Sequence, residues 1–145
     1  MSKRTLFVGD VHGCYTELKG LLEMANFKPD SERLFFVGDL INRGPKPLEV
    51  LKLAYRLRAS CVLGNHERSF LKYLKKGSQS SDSFSKLKEE MGDQIPFWEE
   101  WLQSLPLFIS EGEETEPDSF LVVHAGLAPG ISPQDTDPHI LTNLR

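Results

Sequence analysis

An α/β fold built on a largely parallel sheet is predicted by two features of the 145-residue sequence. Short apolar, partly β-branched runs alternate with segments of helical spacing through its first third. Each run is followed at once by glycine and a cluster of polar residues, as expected where strands end in short loops before a helix. The size, 16.4 kDa, suits one domain, residues 1–145. A content of 39% hydrophobic and 26% charged residues supports a buried core rather than a disordered chain.

The elements follow in order. Thr5 to Val8 reads as a first strand, and Tyr15 to Met24, with Leu18, Leu21 and Leu22 at helical spacing, as a helix. Leu34 to Val37 follows the turn-rich Pro29-Asp30-Ser31 as a second strand. Leu48, Leu51 and Leu53 mark a second helix, opened by Pro45 and Pro47, and Cys61 to Leu63 is the third strand, completing βαβαβ. Lys75 to Ser85, nearly devoid of apolar residues, is expected to be a surface excursion. A helix around Phe97 to Leu102 carries Trp98, Trp101 and Leu102 on one side, a stripe for packing. Leu107 to Ile109 and Phe120 to Val123 bracket the acidic loop Glu111 to Asp118 and predict a hairpin. Asp137-Pro138 reads as a helix start, so His139 is structural. No internal repeat is visible.

Composition narrows the function classes. A formal charge of −4 provides no global basic field for nucleic acid, and Lys72, Lys75 and Lys76, the densest basic cluster, are expected to be a solvated helix end. The first apolar run stops at Val8, and none approaches the roughly 20 residues of a membrane span, so a cytoplasmic protein without nucleic-acid or membrane partners is expected. Cys14 and Cys61 lack zinc-site spacing and are expected to be small buried hydrophobes.

The chemistry gathers at the ends of the strands. There stand Gly9-Asp10-Val11-His12-Gly13, Gly38-Asp39-Leu40-Ile41-Asn42-Arg43-Gly44, Gly64-Asn65-His66-Glu67 and His124-Ala125-Gly126. In parallel sheets the crevice beyond the carboxyl ends of the strands is where ligands bind, so residues distant in sequence can converge there. Singly, a Gly-Asp or Gly-Asn is an ordinary turn or helix cap. Jointly, with three of the four histidines at these positions, they point to a site. Asp10 and His12, two apart in an extended segment, would reach one cation together, and Asp39, Asn65 and His124 add two oxygens and a nitrogen. Carboxylate, amide and imidazole suit manganese, iron or zinc. Two ions bridged by Asp39 would make a hydroxide from bound water and clamp an in-line displacement at phosphorus.

These four motifs, in this order over nearly the whole chain, resemble the calcineurin-like metallophosphoesterases. The likeness is to the phosphoprotein phosphatase branch, which includes bacterial serine/threonine protein phosphatases and symmetrical diadenosine tetraphosphatases. The resemblance implies a sheet sandwich flanked by helices, with its N-terminal βαβαβ half intact. It implies two divalent ions, Mn2+ foremost with Fe, Zn or Co as alternatives, one held by Asp10, His12 and Asp39 and the other by Asp39, Asn65 and His124. His66 would be the general acid and Arg43 a bidentate phosphate ligand, with Asn65 and Arg145 also at the phosphate. The substrate would be a phosphorylated small molecule or nucleotide, or a phosphoprotein.

Two departures from the family pattern bear on function. Asn42 stands where the protein phosphatases have a second Asp, which should weaken His66 as a proton donor; the symmetrical diadenosine tetraphosphatases also lack that Asp, which favours phosphoanhydride substrates. The family also continues past the equivalent of Arg145 with a further histidine ligand and part of a second sheet. By that measure the C-terminal part of the domain is missing, and a non-catalytic metal- and phosphate-binding fragment is the alternative to an enzyme.

Overall fold

In a computed structural model, which describes residues 3–77 and 81–144, the strands β1 (Thr5–Val8), β2 (Arg33–Phe36) and β3 (Ser60–Cys61) form a parallel sheet in the order β1-β2-β3. The register runs Thr5 to Arg33 through Val8 to Phe36, then Phe35 to Ser60 and Phe36 to Cys61. The crossovers are the helices α1 (Tyr15–Met24) and α2 (Pro47–Arg56), as the leucine spacing predicts. Pro47 opens α2, where its missing N–H costs no intrahelical bond. Beyond β3 follow α3 (Asn65–Lys76), α4 (Asp82–Met91), α5 (Ile95–Ser104), the antiparallel pair β4 (Phe108–Glu111) and β5 (Phe120–Val123), and α6 (Pro138–Asn143).

Strand β2 explains why the sheet needs cover on both faces. Successive side chains point to opposite faces, and Leu34, Phe35 and Phe36 are all buried. Leu34 and Phe36 join the main core, with Leu18 of α1, Leu51 of α2, Phe70 of α3 and Trp98 of α5. Phe35 faces the other way, into a smaller core with Val62 and with Val122 of β5. The hairpin β4–β5 therefore lies against the face of the parallel sheet that the helices leave open, giving a sandwich of sheet on sheet with helices behind. Phe7, Phe35 and Phe120 meet ring to ring across that seam, where Arg33 pairs with Glu111 and lies over the rings of Phe35 and Phe120.

The excursion expected over residues 75–85 is shorter than the composition suggests. Lys75 and Lys76 are the last turn of α3, closed by Gly77 in the left-handed conformation, and α4 has begun by Asp82. Phe84 is buried against Phe70 and Tyr73, and with the buried Leu87 and Met91 it anchors α4 in the main core. Trp98 and Leu102 are buried and Trp101 half-buried, a packing stripe as expected. Cys61 is buried, and burial pushes its thiol up to about 12; Cys14 is only half-buried, short of the buried role expected of it. No helix among the described residues is long and apolar enough to cross a membrane.

Candidate active site

Two loops are laced together before any side chain is considered. The N–H of His12 donates to the carbonyl of Asp39 at 2.8 Å, that of Gly13 to Leu40 at 2.8 Å, and that of Gly44 to His12 at 2.7 Å. This lacing holds unusual backbone: Asp10, His12, Asp39, Asn42 and Arg43 all have positive φ, from 28° to 72°. Asp, Asn and His are the non-glycine residues that adopt that region most readily, Arg less so, and the surrounding bonds hold Arg43 there. The consequence corrects one expectation. Residues 10–12 are not extended, so the rule placing i and i+2 on one side does not apply, and Asp10 stands nearer His124 (Nδ1 to Oδ1, 3.8 Å).

Glu67 ties the second loop to the third. Its buried carboxylate accepts the main-chain N–H groups of Leu40 at 2.5 Å, Asp39 at 3.0 Å and Gly64 at 3.1 Å. Burial, then the charge of Asp39, raises its pKa, and main-chain hydrogen bonds from Leu40, Glu67 itself and Asp39 oppose that. Gly64 is obligatory here: an added Cβ would collide with the Asp39 side chain and main chain and with the Glu67 carboxylate. Glu67 has no role assigned from sequence, although Glu three residues after an N-cap is a capping-box signal, and its bond to Gly64 is that half of the box.

The side chains then converge. Asp10, His12, Asp39, Arg43, Asn65, His66 and His124 all line one cavity of about 330 Å³, closed on another side by Thr142 to Leu144 at the end of α6. Arg145 lies outside the described residues. A larger cavity, about 740 Å³ along the β4–β5 hairpin, holds no histidine and none of these groups. His139 is exposed on α6, its N–H accepted by the Asp137 side chain that caps the helix.

Asp39 is the hub. Its Oδ1 accepts the His66 N–H at 3.1 Å in the first turn of α3, and its Oδ2 lies 3.2 Å from His124 Nε2, 3.7 Å from His12 Nε2 and 3.8 Å from His66 Nε2. Burial would raise its pKa, but hydrogen bonds with His124 and His66 lower it. Among the Asp, Glu, Cys and His side chains, ligating atoms gather within 4.8 Å of one another in two sets: His12, Asp39 and His66, and Asp10, Asp39 and His124. Among the described residues Asp39 belongs to both sets, with His12 beside His66 in one and Asp10 beside His124 in the other. Asn65 adds its Oδ1 at 3.0 Å from His124 Nε2.

The imidazoles test whether the site suits cations. His12 and His124 each turn Nδ1 toward a main-chain carbonyl, Ile41 at 3.1 Å and Val37 at 2.7 Å, which fixes the proton there and presents Nε2 to Asp39. For His124 that leaves Nε2 between two oxygens, those of Asp39 and Asn65, an arrangement that a second proton or a metal ion satisfies. Burial lowers its pKa, yet the bonds to Asp39 and Val37 and the charge of Asp10 prevail and raise it to about 9. The donor set fits metal ions.

His66 differs. Its Nδ1 meets Asn42 Nδ2 at 2.8 Å, and burial, with the positive neighbours His12, Arg43 and His124, lowers its pKa against the pull of Asp39.

The sequence matches the model of the calcineurin-like phosphoesterases over residues 3–144. Proteins named symmetrical bis(5'-nucleosyl)-tetraphosphatase from Psychromonas ingrahamii and Pseudomonas entomophila are each 41% identical, over 130 and 133 residues, covering 86% of this chain and 45% and 43% of theirs. A crystal structure described as a candidate diadenosine tetraphosphatase superposes with a TM-score of 0.75 at 34% identity, covering 94% of this chain and 56% of that one. A metallophosphoesterase from Sphaerobacter thermophilus shares the fold at a TM-score of 0.54 and 24% identity, over 77% of this chain and 45% of that one. The chain thus spans less than half the length of these curated relatives. With the family match spanning residues 3–144 and the fold shared with these structures, the chain belongs to the calcineurin-like phosphoesterases.

Proposed function

We propose that this chain is a cytoplasmic phosphohydrolase that cleaves phosphoanhydrides, with dinucleoside tetraphosphate as its leading substrate and phosphomonoesters, phosphoproteins included, as slower ones. The observation that carries the reading is the convergence of Asp10, His12, Asp39, Asn65 and His124 on one small polar cavity that also receives Arg43. The 41% identity to proteins named as tetraphosphatases supports the choice of substrate. Two divalent ions, Mn2+ foremost with Fe, Zn or Co able to serve the same donors, would be held by those five residues. When bound, they supply Lewis acidity and a water acidic enough to act near neutral pH.

The chain's own residues do the rest. Arg43 provides a planar fork matched to a phosphate, Arg145 is proposed as a second such arm, and Asn65 reaches the phosphate from the N-terminus of α3, where the helix dipole favours negative charge. His66 turns Nε2 toward the same space as Asp39 Oδ2. With a net charge of −4, a nucleic-acid duplex is a poor substrate for this surface.

The test is manganese-dependent hydrolysis of diadenosine tetraphosphate and of an aryl phosphate, with Asp39→Asn as control. Turnover of the tetraphosphate that falls at least about a hundredfold in the control is expected. Equal activity of the variant would refute the assignment, and a folded chain that binds metal and phosphate without turnover would make it a binding fragment.

A further inference from the structure

At the C-terminal end of α2 an arginine stands where glycine is the usual residue. The helix closes with the N–H of Arg58 donating to the Tyr55 carbonyl at 3.1 Å and that of Ala59 to the Ala54 carbonyl at 3.1 Å. This Schellman closure puts Arg58 in the left-handed conformation, φ 50°, which glycine takes freely and arginine only against its own Cβ. Arg4, Arg33 and Arg68 all have carboxylate or hydroxyl partners, whereas the guanidinium groups of Arg56 and Arg58 have no hydrogen-bond or ion-pair partner among the described residues. A cation suits the negative end of the helix dipole, and Arg56 in the last turn already supplies one. Nothing inside the fold compensates the second.

What the two arginines share is a cavity of about 530 Å³, lined by Ala54, Tyr55, Arg56, Arg58, Ala59 and Trp101. Its size is that of a small-molecule site. The rings of Tyr55 and Trp101 lie 6.2 Å apart at 81°, a corner in which a flat ring stacked on one would meet the other edge-on. Tyr55 is half exposed and Trp101 half-buried, so both rings are within reach of solvent. Among the described residues no carboxylate, imidazole or thiol lines the cavity, although the chain has 21 acidic residues against 17 basic ones. It shares no lining residue with the active-site cavity. Arg58 and Ala59 lead into the start of β3 and Asn65 and His66 follow its end, so the two cavities lie at opposite ends of the parallel sheet.

We propose that this cavity is a second binding site, for a flat aromatic ring joined to a phosphate, a nucleoside monophosphate in kind. The ring packs against Tyr55 and Trp101, and the phosphate lies between Arg56 and Arg58. A phosphate monoester carries a charge of about −1.5 to −2 near neutral pH, which two guanidinium groups match, each through a planar fork of donors. The same guanidinium groups favour the face of an aromatic ring, so ring and phosphate are held by one set of side chains. The ligand is bound and not cleaved, since the lining offers neither a base nor metal ligands. The site uses none of the residues of the proposed hydrolase and stands or falls apart from it.

The test is calorimetric titration of the intact, metal-free chain with adenosine monophosphate, with adenosine and inorganic phosphate as the two halves of the probe. The monophosphate should bind saturably and each half at least about tenfold more weakly, as expected when a charged hydrogen-bonded group or a stacked ring is lost. Arg58→Gly removes the guanidinium while relieving the backbone, so it should melt at the wild-type temperature or above and yet bind the monophosphate at least about tenfold more weakly. Tyr55→Ala, at an exposed helical position, should weaken binding likewise, and Arg43→Ala, at the other end of the sheet, should leave it unchanged. Wild-type affinity in Arg58→Gly, or affinity lost in Arg43→Ala, would overturn the proposal by placing the ligand elsewhere. Phosphate bound as tightly as the monophosphate would overturn the ring, adenosine bound as tightly would overturn the arginine pair, and no saturable binding would overturn the site. Loss of tetraphosphate hydrolysis in Asp39→Asn, with monophosphate binding retained, would keep the two readings distinct.

Discussion

Asp39 shows how one residue serves structure and chemistry at once. Asp after a strand is most simply a helix cap, and Oδ1 does cap α3, yet Oδ2 is left among three imidazoles. Glu67 makes that division possible by fixing the main chain at Asp39 and Leu40. Its two oxygens receive converging N–H donors, so Glu67→Gln should set an amide NH2 against a donor and strand a buried N–H group. The expected cost is about 1–3 kcal/mol, read as a lower urea midpoint with an unchanged slope. A variant as stable as wild type would mean that the loops are held by their own main-chain bonds alone.

At the scale of elements, the cavity is a meeting of one helix start with one helix end. The first turn of α3 carries Asn65 and His66, and the C-terminal turn of α6 forms the opposite wall. Arg68 joins them: its Nη1 donates to the Pro138 carbonyl at 3.0 Å and to Thr142 Oγ1 at 2.6 Å. Helix α6, only six residues long, is too short to persist by itself and depends on such anchoring. Arg68→Ala should remove two hydrogen bonds, about 1 kcal/mol each, and speed amide exchange in residues 138–144 while leaving α3 and the sheet unchanged. Uniformly faster exchange would instead mean that α6 opens only with the whole domain.

For the whole molecule, the sandwich places its polar cavity at the carboxyl ends of the strands, while two apolar cores lie on the two faces of one sheet. Ligands that bind only the folded chain stabilise it by mass action. Manganese at a hundred times its dissociation constant should add about 2.7 kcal/mol, seen as a rise of several degrees in the melting temperature, and Asp39→Asn should abolish most of that rise. A similar rise in the variant would place the ion elsewhere.

Much of this was legible in the residues. Leucine spacing located α1 and α2, the apolar runs located the strands, and the four strand-end motifs named the side chains that line the cavity, because local periodicity and turn chemistry act over a few neighbours. Helix α4 escaped notice because its first turn falls in a polar stretch, although Phe84, Leu87 and Met91, at helical spacing, are all buried and Phe84 meets Phe70 and Tyr73. Which side chains cluster with Asp39, how Glu67 braces two loops, and which amide His66 meets were decided only by tertiary structure. Each depends on positive-φ backbone held by hydrogen bonds between residues 24 to 29 positions apart, such as His66 with Asn42 and His12 with Ile41, which no local pattern encodes.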